Sequence, residues 1–212
     1  MEGLFLQISQ LSKLSRWANR HDDIPGNDFF SKWDYSKRFT LYKRIIESEQ
    51  LQDPINYLEF GVATGASFKW WMEQNQHPDS RFYGFDTFSG LPEDFGPYKK
   101  GHFNAGSIPV IDDNRGRFYE GLFQQTLPGF LKTFDNQHRK VILMDADLYT
   151  ATLFTLTSLA PYLQKGDVIL FDEFSVPTHE FMAYMHFTQS YLMELKPIGV
   201  INNYYFTAFK VV

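Results

Sequence analysis

Cysteine is absent from the 212 residues. The chain therefore has no disulfide, no thiol nucleophile and no thiolate metal ligand, which suits a reducing compartment. Long apolar runs are also missing, and no window approaches the ~20 residues of a membrane span. Met1 to Ile8 lacks the positive charge and long apolar stretch of a secretion signal. These absences predict a cytoplasmic protein with no membrane span. Positive charge is scarce too: the formal net charge is −5, and no basic run exceeds the length of Lys99-Lys100. Nucleic acid is thereby excluded as the main partner, because phosphate binding needs a concentrated basic face. Rings are what the chain has in surplus, with 18% aromatic residues in an ordinary hydrophobic total of 43%. Such a surplus fills a core, and it also suits a pocket or a homodimer contact that uses flat, amphipathic surfaces.

The pattern along the chain changes near Pro54. Before it, Leu4, Ile8, Leu11 and Leu14 fall at helical spacing, as do Leu41, Ile45 and Ile46. Asp22 to Asp28 breaks the two runs apart, and Asp53-Pro54 ends the second. Residues 1–52 are read as a helical cap, and 53–212 as the main domain. From residue 55, short apolar strands alternate with helices: strands at Ile55–Phe60, Arg81–Asp86, Arg117–Tyr119, Val141–Met144 and Val168–Phe171. The helices expected between and after them cover Ala66–Gln76, Gln124–Phe134, Leu148–Leu163 and about Thr178–Leu195. In the third of these, Leu153, Leu156, Ala160 and Leu163 form one stripe. Ile198–Ile201 and Tyr204–Val212 flank Asn202-Asn203, a pair suited to the positive φ of a tight hairpin. Alternating units of this kind predict an α/β fold, a mostly parallel sheet with helices on both faces, closed by an antiparallel C-terminal hairpin. The stretch from Thr87 to about Gly116 has the length and Gly/Pro content of a lid.

Ligands of such sheets bind outside the carboxyl ends of the strands, where strand order reverses. After the first strand stand Glu59, Gly61, Gly65 and Ser67. Glycines there let a ligand approach the backbone, and the next helix offers free N–H groups. The second strand ends at Asp86, about 20 residues past the glycines, where a carboxylate grips ribose hydroxyls. A dinucleotide is disfavoured: the pattern is not G-x-G-x-x-G, and the length leaves little space for a second mononucleotide half. A single nucleoside with a short tail fits better.

These residues sit inside a larger series. Leu58-Glu59-Phe60-Gly61-Val62, Gly65-Ala66-Ser67, Tyr83-Gly84-Phe85-Asp86-Thr87-Phe88-Ser89-Gly90-Leu91-Pro92-Glu93, Gly121-Leu122-Phe123 with Thr126-Leu127-Pro128, and Asp145-Ala146-Asp147-Leu148-Tyr149 follow in order. Over roughly residues 55 to 175 the series resembles the macrocin O-methyltransferase family, S-adenosylmethionine-dependent sugar O-methyltransferases. The resemblance implies the Rossmann-like class I methyltransferase three-layer sandwich. It also implies S-adenosyl-L-methionine as cofactor, with Glu59, Gly61 and Gly65 around the methionine part and Asp86 at the ribose; Ser67, Thr87 and Asp145 are further cofactor-binding candidates. Gln124 or Gln125 would lie near the adenine, where that family more often carries an acidic residue.

Two acidic pairs close the inventory. Met144-Asp145-Ala146-Asp147 ends the fourth strand and Phe171-Asp172-Glu173-Phe174 ends the fifth. Carboxylates left together repel unless a cation or proton lies between them, and oxygen donors of this kind suit Mg²⁺. Asp145, Asp172 and Glu173 are the expected metal set, with Asp145 also facing cofactor or acceptor and Asp147 capping the next helix. In the macrocin-type enzymes the second pair is usually two aspartates, so Glu173 departs from the pattern. Glu173 and His179 are the candidate bases. The expected activity is methyl transfer to a hydroxyl of a sugar or similar small molecule. Its rivals are a catechol-like or nitrogen acceptor, and a cofactor-binding protein without turnover.

Overall fold

The computed structural model describes residues 2–28 and 34–212. Residues 1 and 29–33 of the expected helical cap lie outside the described residues. Seven strands follow the order β3-β2-β1-β4-β5-β7-β6. The chain divides into two compact units, residues 51–146 and residues 1–50 with 147–212.

The continuous unit carries β1 (Ile55–Phe60), α1 (Ala66–Gln74), β2 (Arg81–Asp86), β3 (Gly116–Glu120), α2 (Phe123–Leu131) and β4 (Arg139–Met144). Its strands pair in parallel, β3 with β2, β2 with β1 and β1 with β4. Every residue of β1 is buried, the signature of a strand covered on both faces. The aromatic surplus is spent here on packing. Tyr57 stacks on Trp71 at 5.2 Å and meets Phe68 and Phe82. Phe60, Phe85 and Tyr119 stack in a row across three strands at 4.8 and 4.9 Å. Strand order reverses beside β1, between β2 and β4, the position at which sheets of this kind bind their ligands.

The second unit is assembled from both flanks of the first. It holds α3 (Glu2–Asn19), α4 (Lys37–Ser48), α5 (Tyr149–Leu159), β5 (Val168–Phe171), α6 (Glu180–Tyr191), β6 (Leu195–Ile201) and β7 (Phe206–Val211). β7 pairs antiparallel with both β5 and β6. The hairpin turn behaves as its asparagines require, with Asn202 and Asn203 at φ of 59° and 56°. Trp17 is the anchor of α3, in contact with Phe174, Phe181, Tyr184, Tyr204 and Phe209.

Three expectations about helix faces and ends change. On α3 the docked face is Gln10, Leu14 and Trp17, while Leu4, Ile8 and Leu11 point to solvent. On α5 the buried positions are Thr152, Thr155, Leu156 and Leu159; the helix gives way at Pro161 to a short 3₁₀ turn. α6 stops at Tyr191, with Leu192 left-handed at φ 50°, because Leu195 is taken into β6 opposite Val211.

The tightest joint in the continuous unit is at Gly61, whose φ is 95° and where a Cβ would stand 1.7 Å from the carbonyl oxygen of Asp145. Gly61→Ala should cost about 3 kcal/mol or more, combining left-handed strain with a backbone clash. Gly129, inside α2 with open space around it, should instead gain about 0.5–1 kcal/mol on Gly129→Ala. Urea denaturation of both variants checks the pair.

Candidate active site

The turn after β1 is organised by a side chain from the next strand. Asp86 accepts the N–H groups of Val62 and Ala63 on one carboxylate oxygen, each at 2.7 Å, and that of Phe88 on the other at 2.7 Å. Ala63 is left-handed at φ 46°, a strained position for a residue with a Cβ, and Asp86 holds it there. Gly65 follows at φ 79° as the residue that opens α1. The backbone between Gly61 and Gly65 is therefore fixed, with the first turn of α1 offering its N–H groups beside it.

Several predicted cofactor residues fall around this turn, and several prove committed elsewhere. Glu59 is buried, and the hydroxyl of Tyr57 donates to it at 2.6 Å. Asp145 is half-buried; its backbone N–H donates to the Phe60 carbonyl, and its own carbonyl lies against Gly61. Ser67 is buried in the first turn of α1, so its hydroxyl offers a ligand little surface. The hydroxyl of Thr87 is spent on the carbonyl of Gly90 at 2.8 Å. Between the two glutamines, Gln125 accepts the N–H of Leu122 at the head of α2, which leaves the exposed Gln124 as the free amide.

The second unit gathers the other carboxylates. Asp172, 1% exposed, accepts from Tyr35 at 3.0 Å and Tyr42 at 3.4 Å, with the Arg38 guanidinium 3.6 Å away. Arg38 in turn donates to the Tyr35 hydroxyl and stacks over its ring at 4.1 Å. Glu173 accepts from the Tyr205 hydroxyl on one oxygen, and its other oxygen has no hydrogen-bond partner among the described residues. Burial pushes the Glu173 carboxyl above the usual carboxylate range, and Asp172 beside it adds to the rise. The same burial, with Glu173 near, raises the Tyr205 hydroxyl.

A residue missed in the sequence completes this cluster. Glu180, fully buried in the first turn of α6, accepts the Glu173 N–H at 2.9 Å, and its other oxygen is unbonded among the described residues. Burial foremost, then Glu173, drives its carboxyl well above the ordinary value. The only local signal was its place in the first turn of a helix, and that position is common on exposed helices too.

The expected metal set does not fit. Both oxygens of Asp172 are engaged by two tyrosines and an arginine, and Glu173 accepts from Tyr205. Among the described residues no three His, Asp or Glu side chains are grouped to hold an ion. Arg38 supplies the positive charge that the carboxylates need, and its distance from them in sequence hid it. The residue that precedes α5 is Leu148 rather than Asp147, and Asp147 is left-handed at φ 58°. His179 stands half-buried at the residue before α6.

A pH signature follows from Glu180. Its folded value is raised, so the native state keeps a proton that the unfolded chain has released. Stability is complete below the ordinary glutamate range and declines as pH climbs toward the raised folded value. Glu180→Gln should flatten that decline, with a higher Tm than the parent at pH 8 and little difference at pH 4. Thermal melts across that range test it, and parallel curves for the two proteins would contradict the assignment.

Comparisons place this architecture among known proteins. A family model described as a methyltransferase domain matches residues 58–174. No curated protein matches the chain in sequence. Among solved structures, the calicheamicin methyltransferase CalS11 superposes with TM-score 0.62 at 22% identity, covering 84% of this chain and 78% of its own. Its apo form, described as a TDP-rhamnose 3'-O-methyltransferase, gives 0.57 at the same identity and coverage. The O-methyltransferase NovP gives 0.59 at 19% identity and covers 99% of both chains.

Proposed function

Because the chain belongs to the methyltransferase domain family matched over residues 58–174, we propose that it transfers a methyl group from S-adenosylmethionine to a hydroxyl of a sugar or similar small molecule. The observation that carries the cofactor is the turn from Gly61 to Gly65, locked by Asp86 at the point where strand order reverses. Two left-handed glycines and a strained Ala63 keep side chains away from a ligand's tail, and the N-terminus of α1 suits a carboxylate. Gly61 and Gly65 would border the methionine part, the remaining acceptor capacity of Asp86 would meet the ribose, and Gln124 the adenine edge. The cofactor supplies an already activated methyl on a sulfonium.

What remains for the protein is alignment, exclusion of water and removal of one proton. Glu173 is the group we assign to the proton. Its raised carboxyl is a stronger base than an exposed glutamate once ionised, and Tyr205 and the Glu180 contact hold it in place. No step is given to Mg²⁺, because Asp172 is held by Arg38, Tyr35 and Tyr42, Glu173 accepts from Tyr205, and no three acidic or histidine side chains are grouped among the described residues. Tyr35, Arg38 and Tyr42 belong to the segment read as a cap, and their grip on Asp172 supports a role for it at the acceptor end. The sugar hydroxyl is favoured as acceptor over a catechol or amine by the CalS11 likeness in fold and by the linked motifs quoted above.

Release of S-adenosylhomocysteine over a panel of nucleotide sugars, glycosides, catechols and amines tests the activity. Turnover on a sugar hydroxyl is the expected result; turnover only on the other classes, or none, overturns it. Asp86→Ala should weaken S-adenosylmethionine binding by about 1.5–3 kcal/mol, seen by calorimetry. Glu173→Gln should lower kcat by about 100-fold while leaving cofactor affinity unchanged. In the parent enzyme kcat should rise with pH through a carboxyl value above the ordinary glutamate range, because the base must lose its proton first. An acid limb at the ordinary value would remove Glu173 from the role. The exposed stripe Leu4, Ile8 and Leu11 on α3 suits a second copy of the chain, and Ile8→Glu should then turn a dimer into monomers in sedimentation.

A further inference from the structure

The stretch between β2 and β3, residues 87–115, contains no helix or strand, yet it is stapled shut. Leu91 and His102 join through N–H to carbonyl at 2.9 Å, Gly101 returns to Leu91 at 2.8 Å, and Phe95 and Tyr98 exchange a pair at 2.9 and 2.8 Å. Asp94 binds the Lys99 ammonium at 2.8 Å and the Lys100 N–H at 2.9 Å. Gly90 makes the closure feasible, since a Cβ there would stand 2.4 Å from the His102 carbonyl oxygen. Phe88, Leu91 and Phe95 bury their side chains beneath the loop.

Above these staples the loop turns a row of rings outward. Tyr98 stacks on His102 at 4.7 Å, and Phe103 meets both, at 4.9 and 4.4 Å. Phe103 carries two costs at once. It is 47% exposed, and its backbone is left-handed at φ 62°, a conformation a bulky residue adopts rarely. Tyr98 is 38% exposed. The ring contacts of Phe103 are Tyr98 and His102, themselves on the surface. Further along the same loop, Pro109 lies 3.1 Å from where a Cβ on Gly65 would stand, so the loop rests on the turn assigned to the cofactor.

We propose that Tyr98, His102 and Phe103 form a stacking platform that takes the flat face of a ring in the acceptor, a pyranose or an aromatic group attached to it. The proposal rests on the small-molecule acceptor argued above. Exposed aromatic faces held in fixed geometry gain most from a ligand that covers them, because water leaves both surfaces and little side-chain freedom is lost. The strain at Phe103 then serves to aim its ring.

The test uses p-nitrophenyl α-L-rhamnopyranoside with S-adenosylhomocysteine present, read by saturation-transfer NMR so that binding is seen without turnover. The wild type should saturate this probe, its sugar protons if the pyranose stacks or its phenyl protons if the attached ring does. Phe103→Ala and Tyr98→Ala should each weaken probe binding about fivefold to tenfold, the scale of one lost ring contact. Calorimetry should find S-adenosylhomocysteine affinity unchanged in both. Phe103→Gly should hold or raise Tm by releasing the left-handed strain, while losing the probe like Phe103→Ala. Binding that depends on these rings without methyl transfer would support the platform and overturn only the proposed activity. No saturation of either ring by the wild type, or variants that bind the probe as tightly as the parent, would overturn the platform.

Discussion

Everything proposed for the cofactor depends on one carboxylate. Asp86 spans from the end of β2 to the turn after β1 and accepts three backbone N–H groups. Without it, the N–H groups of Val62 and Ala63 would lose their partner and Ala63 would have no reason to stay left-handed. The same residue that would meet a ribose thus builds the surface on which the rest of the cofactor would lie. The site is prepared before any ligand arrives, and the ordering cost is met by folding rather than by binding.

A second dependency runs through the acidic cluster. Asp172, Glu173, Asp147 and Glu180 would repel one another if all were ionised, and the structure resolves this in two ways. Arg38 with Tyr35 and Tyr42 holds Asp172, whereas burial raises the carboxyls of Glu173 and Glu180 and favours their protonated forms. A proton-loving cluster beside an arginine-held carboxylate separates the groups into a charged member and members whose charge depends on pH. That separation gives Glu173 its suitability for taking a proton.

The fold was legible because its signals are local. Short apolar runs ending in Gly61, Asp86 and Asp145 fix strands, and Asn202-Asn203 fixes the hairpin. Roles that arise only from residues far apart in sequence could not be read. Arg38 and Asp172 are neighbours only in space, and so the carboxylates looked unpaired and suggested a metal. Leu4, Ile8 and Leu11 have the spacing of a buried face, but spacing alone does not say which of two apolar faces of a helix docks; Trp17 decides it. The family resemblance points to Thr87 and to Gln124 or Gln125 as cofactor contacts, and in the structure local backbone groups hold the side chains of Thr87 and Gln125.

The division into units bears on the order in which the molecule is made. Residues 51–146 are continuous and contain β1, β2, β3 and β4, each with a parallel partner in the same stretch. That part can close as soon as it leaves the ribosome. The helices made before it cannot: Trp17 waits for Phe174, Tyr204 and Phe209, and Asn27 bonds to a tyrosine 177 residues downstream. During synthesis α3 therefore carries both of its apolar faces in water, and a chaperone that shields nascent helices would find its longest exposure there.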